Sequence, residues 1–190
     1  MSRFEQKEIS MQSYFDAAKF GMANFVPLSP LSFLQRAASV YADKPATTYA
    51  DTTRTWAEVA HRVRSVAAGL AARGVGVGDT VSVLSPNRPE VFELHFAVPL
   101  LGAVLNTINT RLDAETLVYI LAHSDSRLVI VDASLLPVLG AAFKESGRDT
   151  DVIVLSRAGV HGADYADYEA LILGVCWHGR CQRMRDRRWR

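Results

Sequence analysis

Short, continuously apolar runs alternate along this chain with longer segments in which apolar residues recur every three or four positions. The clearest run is Arg-Leu-Val-Ile-Val-Asp at 127–132, and other strand-like segments, some of them interrupted by Ser, Thr or Asn, lie at 80–85, 104–108 and 152–155. An uninterrupted apolar run of this length is typical of a strand that is covered on both faces. Strands that alternate with helices favour parallel pairing through right-handed helical crossovers. The sequence therefore predicts an α/β fold whose sheet is mostly parallel and flanked by helices.

A capping-box pattern marks the start of the longest helix. The hydroxyl of Thr55 can accept a hydrogen bond from a first-turn amide, while Glu58 reaches back to the cap amide. The apolar stripe that follows, from Trp56 to Ala71, recurs at helical spacing and stops at Gly74. A hairpin that turns at Asp51 is predicted before this helix. Further helices are predicted at 30–41, 89–101, 113–123 and from Ser134.

Glycines at positions 74, 76 and 78 could in principle present backbone amides to a phosphate group. A phosphate-binding loop leaves a strand and opens a helix, whereas this run leaves a helix and leads into the strand at 80–85. A helix end in the left-handed conformation, followed by a tight turn, fits that order better. The run is therefore interpreted as a turn.

The net charge of +1 is unevenly distributed, because residues 175–190 hold six arginines and one aspartate. The rest of the chain carries −4 and offers no basic face of the kind that binds nucleic acid. We therefore predict no nucleic-acid partner. The arginines and tryptophans of the tail leave a tether to nucleic acid or to an anionic surface as a weaker alternative.

The amino-terminal residues lack the apolar stretch of a secretory signal. The longest apolar run, 96–105, is well short of the roughly 20 residues that span a bilayer. The only cysteines, Cys176 and Cys181, lie in the tail, so the body is typical of a reducing compartment. These features predict a cytoplasmic protein without a membrane span.

No group of residues stands out as a catalytic or metal site. Cys176, His178 and Cys181 provide too few ligands for zinc. His95, in an apolar helical segment, is interpreted as a core or helix-surface histidine. Two acid pairs, neither of them interpreted as an acid–base couple, occupy positions near helix starts, where the helix dipole favours carboxylates: Glu90 with Glu93, and Asp113 with Glu115.

Polar residues at the end of the strand at 104–108 need separate consideration. Asn106, Asn109 and Arg111 would lie at or near the carboxyl end of that strand, the edge of an α/β sheet where ligands bind. Asparagine also bonds readily to its own backbone, and local hydrogen bonding is the favoured interpretation. A ligand contact stays open as the alternative.

Two segments resemble core motifs of the adenylate-forming enzymes. Residues 54–87, from R-T-W-A-E to L-S-P-N, resemble the first motif, in which a Thr-aromatic-x-Glu helix start leads through a glycine turn to a strand. Residues 98–112, V-P-L-L-G-A-V-L-N-T-I-N-T-R-L, are similar to the second motif in its fatty-acyl-CoA synthetase form. The resemblance to AMP-forming acyl-CoA synthetases extends over 22–173.

The resemblance implies a partial AMP-binding domain at 28–173, the amino-terminal part of the family's large domain, with an incomplete sheet. A leader at 1–27 would precede it. The tail at 174–190 departs abruptly in composition from the family pattern, and we interpret it as an out-of-frame reading. For the full-length family the resemblance implies ATP, Mg²⁺ and coenzyme A as cofactors and a carboxylic acid as substrate, which is converted to an acyl-adenylate and then to a CoA thioester.

The family's Ser/Thr/Gly-rich loop that ends in Pro-Lys-Gly has no counterpart in this sequence. The only lysines stand elsewhere: Lys7, Lys19, Lys44 and Lys144. We therefore predict no catalytic, cofactor-binding or metal-binding residues in this chain, and no activity of the chain alone. A stand-alone α/β binding module is the alternative. A sheet that lacks neighbours would also expose an apolar face, through which the chain could self-associate.

Overall fold

The computed structural model describes residues 29–147, 150–156 and 165–177. The predicted leader and residues 178–190 of the predicted tail lie outside these ranges. The central sheet has five parallel strands: β3 Thr80–Leu84, β4 Val104–Ile108, β5 Ser126–Asp132, β6 Asp151–Leu155 and β7 Ala166–Asp167. Their order across the sheet is β4-β3-β5-β6-β7, which confirms the predicted α/β class.

Six helices and a hairpin surround this sheet within the described residues. The helices are α1 Pro30–Val40, α2 Trp56–Ala72, α3 Pro89–Leu100, α4 Ala114–His123, α5 Leu136–Ser146 and α6 Tyr168–Trp177. Strands β1 (Pro45–Tyr49) and β2 (Thr52–Thr55) pair antiparallel. The helix predicted from Ser134 begins instead with a 3₁₀ turn, Ala133–Leu135, before α5. Neither β7 nor α6 was predicted.

Side-chain caps begin two of the helices where the sequence predicts them. At α2, the Glu58 N–H donates to Thr55 Oγ1 at 3.3 Å and the Thr55 N–H donates to Glu58 Oε2 at 2.7 Å. At α4, the Thr116 N–H donates to Asp113 Oδ1 at 2.9 Å. These bonds favour the ionised carboxyls, so the pKa of Glu58 and that of Asp113 are lowered. The capping box is therefore confirmed.

Helices cover the sheet on both faces. In β5, Leu128 and Ile130 pack with α1, α2, α3 and α6, whereas Val129 and Val131 pack with α4 and α5. Successive side chains of a strand point to opposite faces, so a strand between two helical layers must be apolar throughout. No helix among the described residues is long and apolar enough to cross a membrane.

Candidate functional site

The carboxyl edge of the sheet is where an α/β fold of this topology binds ligands. After β3 the chain crosses to β4 on one side, and it then returns to β5 on the other side of β3. The connections that leave β3 and β5 thus diverge to opposite faces, and such a switch point opens a crevice beyond the strand ends. The residues that follow β3 and end β5 decide what this crevice can hold.

Arg88, which follows β3, crosses this crevice. Its Nη1 lies 2.7 Å from Oδ2 of Asp132, the last residue of β5. Its Nη1 and Nη2 also donate to the carbonyls of Leu155 and Ser156, each at 3.3 Å. Glu90 accepts the remaining bonds, from Nε at 3.1 Å and from Nη2 at 3.4 Å. All five N–H groups of the guanidinium therefore have an acceptor within the protein.

Arg88 and Asp132, which form a bridge between the ends of β3 and β5, are both held in their ionised forms. Burial by itself raises the pKa of Asp132, but hydrogen bonds from Ser134 and Arg88 outweigh it and the pKa is lowered. Burial likewise disfavours the Arg88 cation, yet its bonds to Asp132 and Glu90 raise its pKa. Asp132 is thus a poor general base near neutral pH, and Arg88 has no spare donor for a phosphate. The bridge joins strand ends and does not form a catalytic pair.

The asparagines in and after β4 also bond within the protein. Asn106 donates from Nδ2 to Ser82 Oγ on the neighbouring strand at 2.9 Å, and Ser82 Oγ lies 2.6 Å from Ser126 Oγ. The carboxamide oxygen of Asn109 accepts from the N–H of Arg111 at 3.0 Å, a local turn bond. Asn109 thus bonds locally, as expected, whereas Asn106 bonds across the sheet.

The glycine run lies at the amino edge of the sheet, opposite the crevice. Gly74 and Gly78 have left-handed φ angles of +83° and +84°. The Gly76 N–H donates to Asp79 Oδ2 at 2.8 Å, and the Gly78 N–H donates to the Gly102 carbonyl at 3.0 Å. The run leaves α2 and enters β3 with these amides already bonded. This confirms the helix end and turn.

No group of three or more His, Cys, Asp or Glu residues in the described part of the chain could hold a metal ion. His95 is exposed on α3, where its Nδ1 lies 2.8 Å from the Val91 carbonyl, so it is a helix-surface histidine. The side chain of Cys176, within α6, is not described. His178 and Cys181 lie outside the described residues.

Glu93 lies near the start of α3 and makes buried contacts that the sequence did not predict. Its side chain is only 1% exposed and accepts from Arg62 Nε at 2.5 Å and from the Tyr168 hydroxyl at 3.1 Å. Arg62 also donates two hydrogen bonds to the Glu169 carboxylate, from Nη1 at 3.0 Å and from Nη2 at 2.6 Å. We call Arg62, Glu93, Tyr168 and Glu169 the Glu93 cluster. The sequence contained a signal for this contact that we did not use: Arg62 lies within the apolar stripe of α2, and Glu93 lies within the apolar segment of α3.

Burial dominates the electrostatics of the Glu93 cluster. It raises the pKa of Glu93, although the hydrogen bond and the charge of Arg62 oppose this. It also raises the pKa of Tyr168 well above its ordinary value, and the negative charge of Glu93 adds to this effect. The pKa of Arg62 is raised because its bonds to Glu169 and Glu93 outweigh its own burial. Arg62 therefore keeps its charge at any physiological pH, and the cluster ties α2, α3 and α6 together.

Two clefts lie away from the crevice. One, of ≈ 280 Å³, is lined by Arg73, Arg127 and Asp151 at the amino edge, where Arg73 Nη1 lies 2.8 Å from Asp151 Oδ2. The other, of ≈ 520 Å³, lies between the hairpin and α2, with His61 on its wall. Neither cleft brings a nucleophile into contact with a base.

Comparisons with known proteins agree on one family. The family model described as "AMP-binding enzyme" matches residues 34–171. Probable acyl-activating enzyme 6 of Arabidopsis thaliana is 45% identical over 134 residues, which cover 70% of this chain and 24% of that protein. The peroxisomal butyrate–CoA ligase of Arabidopsis thaliana is 43% identical over 117 residues, covering 62% and 20%.

A solved structure shares the fold. The anthranilate CoA ligase in complex with anthranoyl-AMP matches with a TM-score of 0.71 and 26% identity, covering 78% of this chain and 29% of that one. The chain thus spans about a quarter of the length of the curated relatives it matches.

Proposed function

Because this chain belongs to the AMP-binding enzyme family, we propose that it is the amino-terminal part of an enzyme that joins a carboxylic acid to coenzyme A through an acyl-adenylate. The observation that carries the proposal is the family match over residues 34–171, combined with acyl-activating and CoA-ligase relatives at 43–45% identity. The activity is proposed for the whole protein, of which this chain is one portion.

We propose that the described residues alone do not bind the triphosphate of ATP. A triphosphate needs cations and amide donors that are free to meet it. Arg88, a cation at the crevice, already donates all five of its N–H groups to internal acceptors, which supports this proposal. ATP, Mg²⁺ and coenzyme A are therefore proposed as cofactors of the full-length protein, bound by residues outside those described.

We propose a short or medium carboxylic acid as the substrate. The N-T-I-N-T-R-L segment at 106–112 favours this class, and a relative that is 43% identical is named a butyrate–CoA ligase. The pocket for the acyl chain is proposed to lie in the part of the protein that follows this chain.

ATP–pyrophosphate exchange tests the proposal in two arms. In the first, the purified 190-residue chain is assayed with Mg²⁺, butyrate and longer acids, and no exchange above background is expected. In the second, the 117 aligned residues of this chain replace those of the peroxisomal butyrate–CoA ligase. The chimera is expected to retain acid-dependent exchange, with the unaltered ligase as the positive control.

Two outcomes would contradict the proposal. Exchange by the chain alone, or tight magnesium-dependent binding of ATP, would show that it carries a nucleotide site of its own. An inactive chimera, together with a chain that is itself monodisperse and unfolds cooperatively, would favour the stand-alone binding module. Self-association of the chain, which size-exclusion chromatography measures in the same preparation, stays a prediction.

Localisation in the cytoplasm also stays a prediction. Several relatives are named as peroxisomal, so the two compartments are the alternatives to test. Imaging of the full-length protein with a tag at either terminus separates them, since a tag that masks a targeting signal at one end leaves the other end free.

A further inference from the structure

The last described segment of the chain, β7 and α6, is attached to the sheet differently from the other elements. We call residues 166–177 the strap. Strand β7 pairs with β6 through two residues, Ala166 and Asp167, whereas β6 pairs with β5 through five. The sheet therefore contributes little to holding the strap in place.

Three consecutive side chains of the strap make polar contacts with the body of the protein. The Ser156 hydroxyl at the end of β6 donates to Asp167. The Tyr168 hydroxyl donates to Glu93 at 3.1 Å, and Glu169 accepts two bonds from Arg62. The first helical turn of the strap is thus docked onto the buried Arg62–Glu93 pair.

The strap also makes an apolar contact with the body. Among its described side chains, Tyr168, Leu171 and Ile172 are buried, and Leu173 is 68% exposed. Close approach is possible because α2 has Gly69 beneath Leu171: a Cβ at that position would lie 3.0 Å from the Leu171 Cβ. The docking of the strap therefore combines this apolar contact with the polar contacts of the Glu93 cluster.

The Arg62–Glu93 pair does not need the strap to remain paired. Arg62 Nε binds Glu93 Oε1 directly between α2 and α3, and the strap adds only the bonds to Oε2 and to the two Nη groups. When the strap leaves, water reaches these freed groups, so no isolated charge stays buried. The open state therefore has a complete set of hydrogen bonds.

We propose that the strap docks and releases as a unit, with the Arg62–Glu93 pair as a preformed latch for Tyr168 and Glu169. A segment that pairs with the sheet through only two residues can open locally at lower free energy than the strands at the centre of the sheet. Docking fixes the point at which the following chain leaves the α/β unit, and release frees it. This inference is independent of the proposed function, because it rests on the described contacts alone.

Residue-resolved hydrogen exchange on the intact 190-residue chain tests the proposal. In the unsubstituted protein, the helical amides of Ile172 and Leu173 should exchange at least about tenfold faster than those of Val129 to Val131 in β5, after correction for intrinsic rates. Equal opening of α6 and β5 would overturn the proposal, because the strap would then open only with the whole domain.

The variant Tyr168→Phe tests the latch itself. It removes one hydrogen bond to a charged acceptor that is lost whenever the strap opens, so exchange in the strap should rise by roughly tenfold and should still be faster than exchange in β5. Tyr119→Phe is the matched control, since that phenol is 66% exposed on α4 and is expected to change neither segment. Unchanged exchange in the strap of Tyr168→Phe, or a comparable rise in the strap of Tyr119→Phe, would each overturn the proposal.

Discussion

Replacement of Arg62 by methionine removes the cation that compensates the buried carboxylate of Glu93. Arg62 Nε lies 2.5 Å from Glu93 Oε1, and the Glu93 side chain is 1% exposed, so water cannot take over the charge while the fold is intact. Removal of one partner of a buried ion pair costs about 3–5 kcal/mol. Burial already raises the pKa of Glu93, and without Arg62 it should rise further.

Urea unfolding followed by far-UV circular dichroism measures this loss. With a denaturant slope of about 2 kcal/mol per M, the unfolding midpoint should fall by roughly 1.5–2.5 M. The raised pKa of Glu93 also determines how the cost of Arg62→Met changes with pH. A group whose pKa is raised on folding opposes folding when it is ionised, and this penalty disappears as the pH falls through the raised value. The cost of Arg62→Met should therefore shrink as the pH is lowered.

Two further variants control this experiment. Arg73→Met breaks a surface pair with Asp151, whose partners are 31% and 47% exposed, and should cost less than about 1 kcal/mol. The double variant Arg62→Met/Glu93→Met leaves no buried charge and should be more stable than Arg62→Met. A loss of less than about 1 kcal/mol in Arg62→Met, or an equal loss in Arg73→Met, would refute the argument that burial makes this pair matter.

Two other predictions concern stability. Asp132→Asn should destabilise the protein by about 1.5–3 kcal/mol at pH 7, because Arg88 loses a charged acceptor. Because the pKa of Asp132 is lowered, this difference should begin to shrink only as the pH falls below about 4 and should vanish once the pH is below the lowered value, which thermal midpoints measured at pH 7 and through the acid range check. Gly74→Ala should cost about 1–2 kcal/mol at φ +83°, whereas Gly140→Ala, with nothing within 4 Å in α5, should stabilise by up to about 1 kcal/mol. Equal effects in these two glycine variants would contradict the left-handed interpretation.

Most elements follow from signals among near neighbours. The Thr55 box and the Asp113 cap begin helices because their side chains reach amides only three residues away. The run at 127–132 is buried on both faces apart from its first residue, as its unbroken apolar character predicts. The elements that escaped prediction are β7 and α6. A two-residue strand has no period to detect, and the helix that follows it depends on contacts with α2.

The interpretation of individual residues from their near neighbours in the sequence was correct at some positions and incomplete at others. The glycine run and Asn109 bond close to where they lie in the chain, as the local interpretation predicts, whereas Asn106 bonds to Ser82 on the neighbouring strand. The burial of Glu93 was not predicted, because its position near a helix start indicated only a favourable interaction with the helix dipole. Its burial follows from the packing of α3 against α2 and α6, elements that are distant along the chain.

The sequence by itself determined the helices and strands as far as β6 and how the helices begin, because these depend on backbone bonding and periodicity within a few residues, and its motifs indicated the family. Only the tertiary structure decided the partners of the charged groups. Arg62 meets Glu93 across 31 positions and Arg88 meets Asp132 across 44. The first pair exists because α2 packs against α3, and the second because helical crossovers place β3 beside β5. A charge can be recognised as buried only once the elements around it are in place.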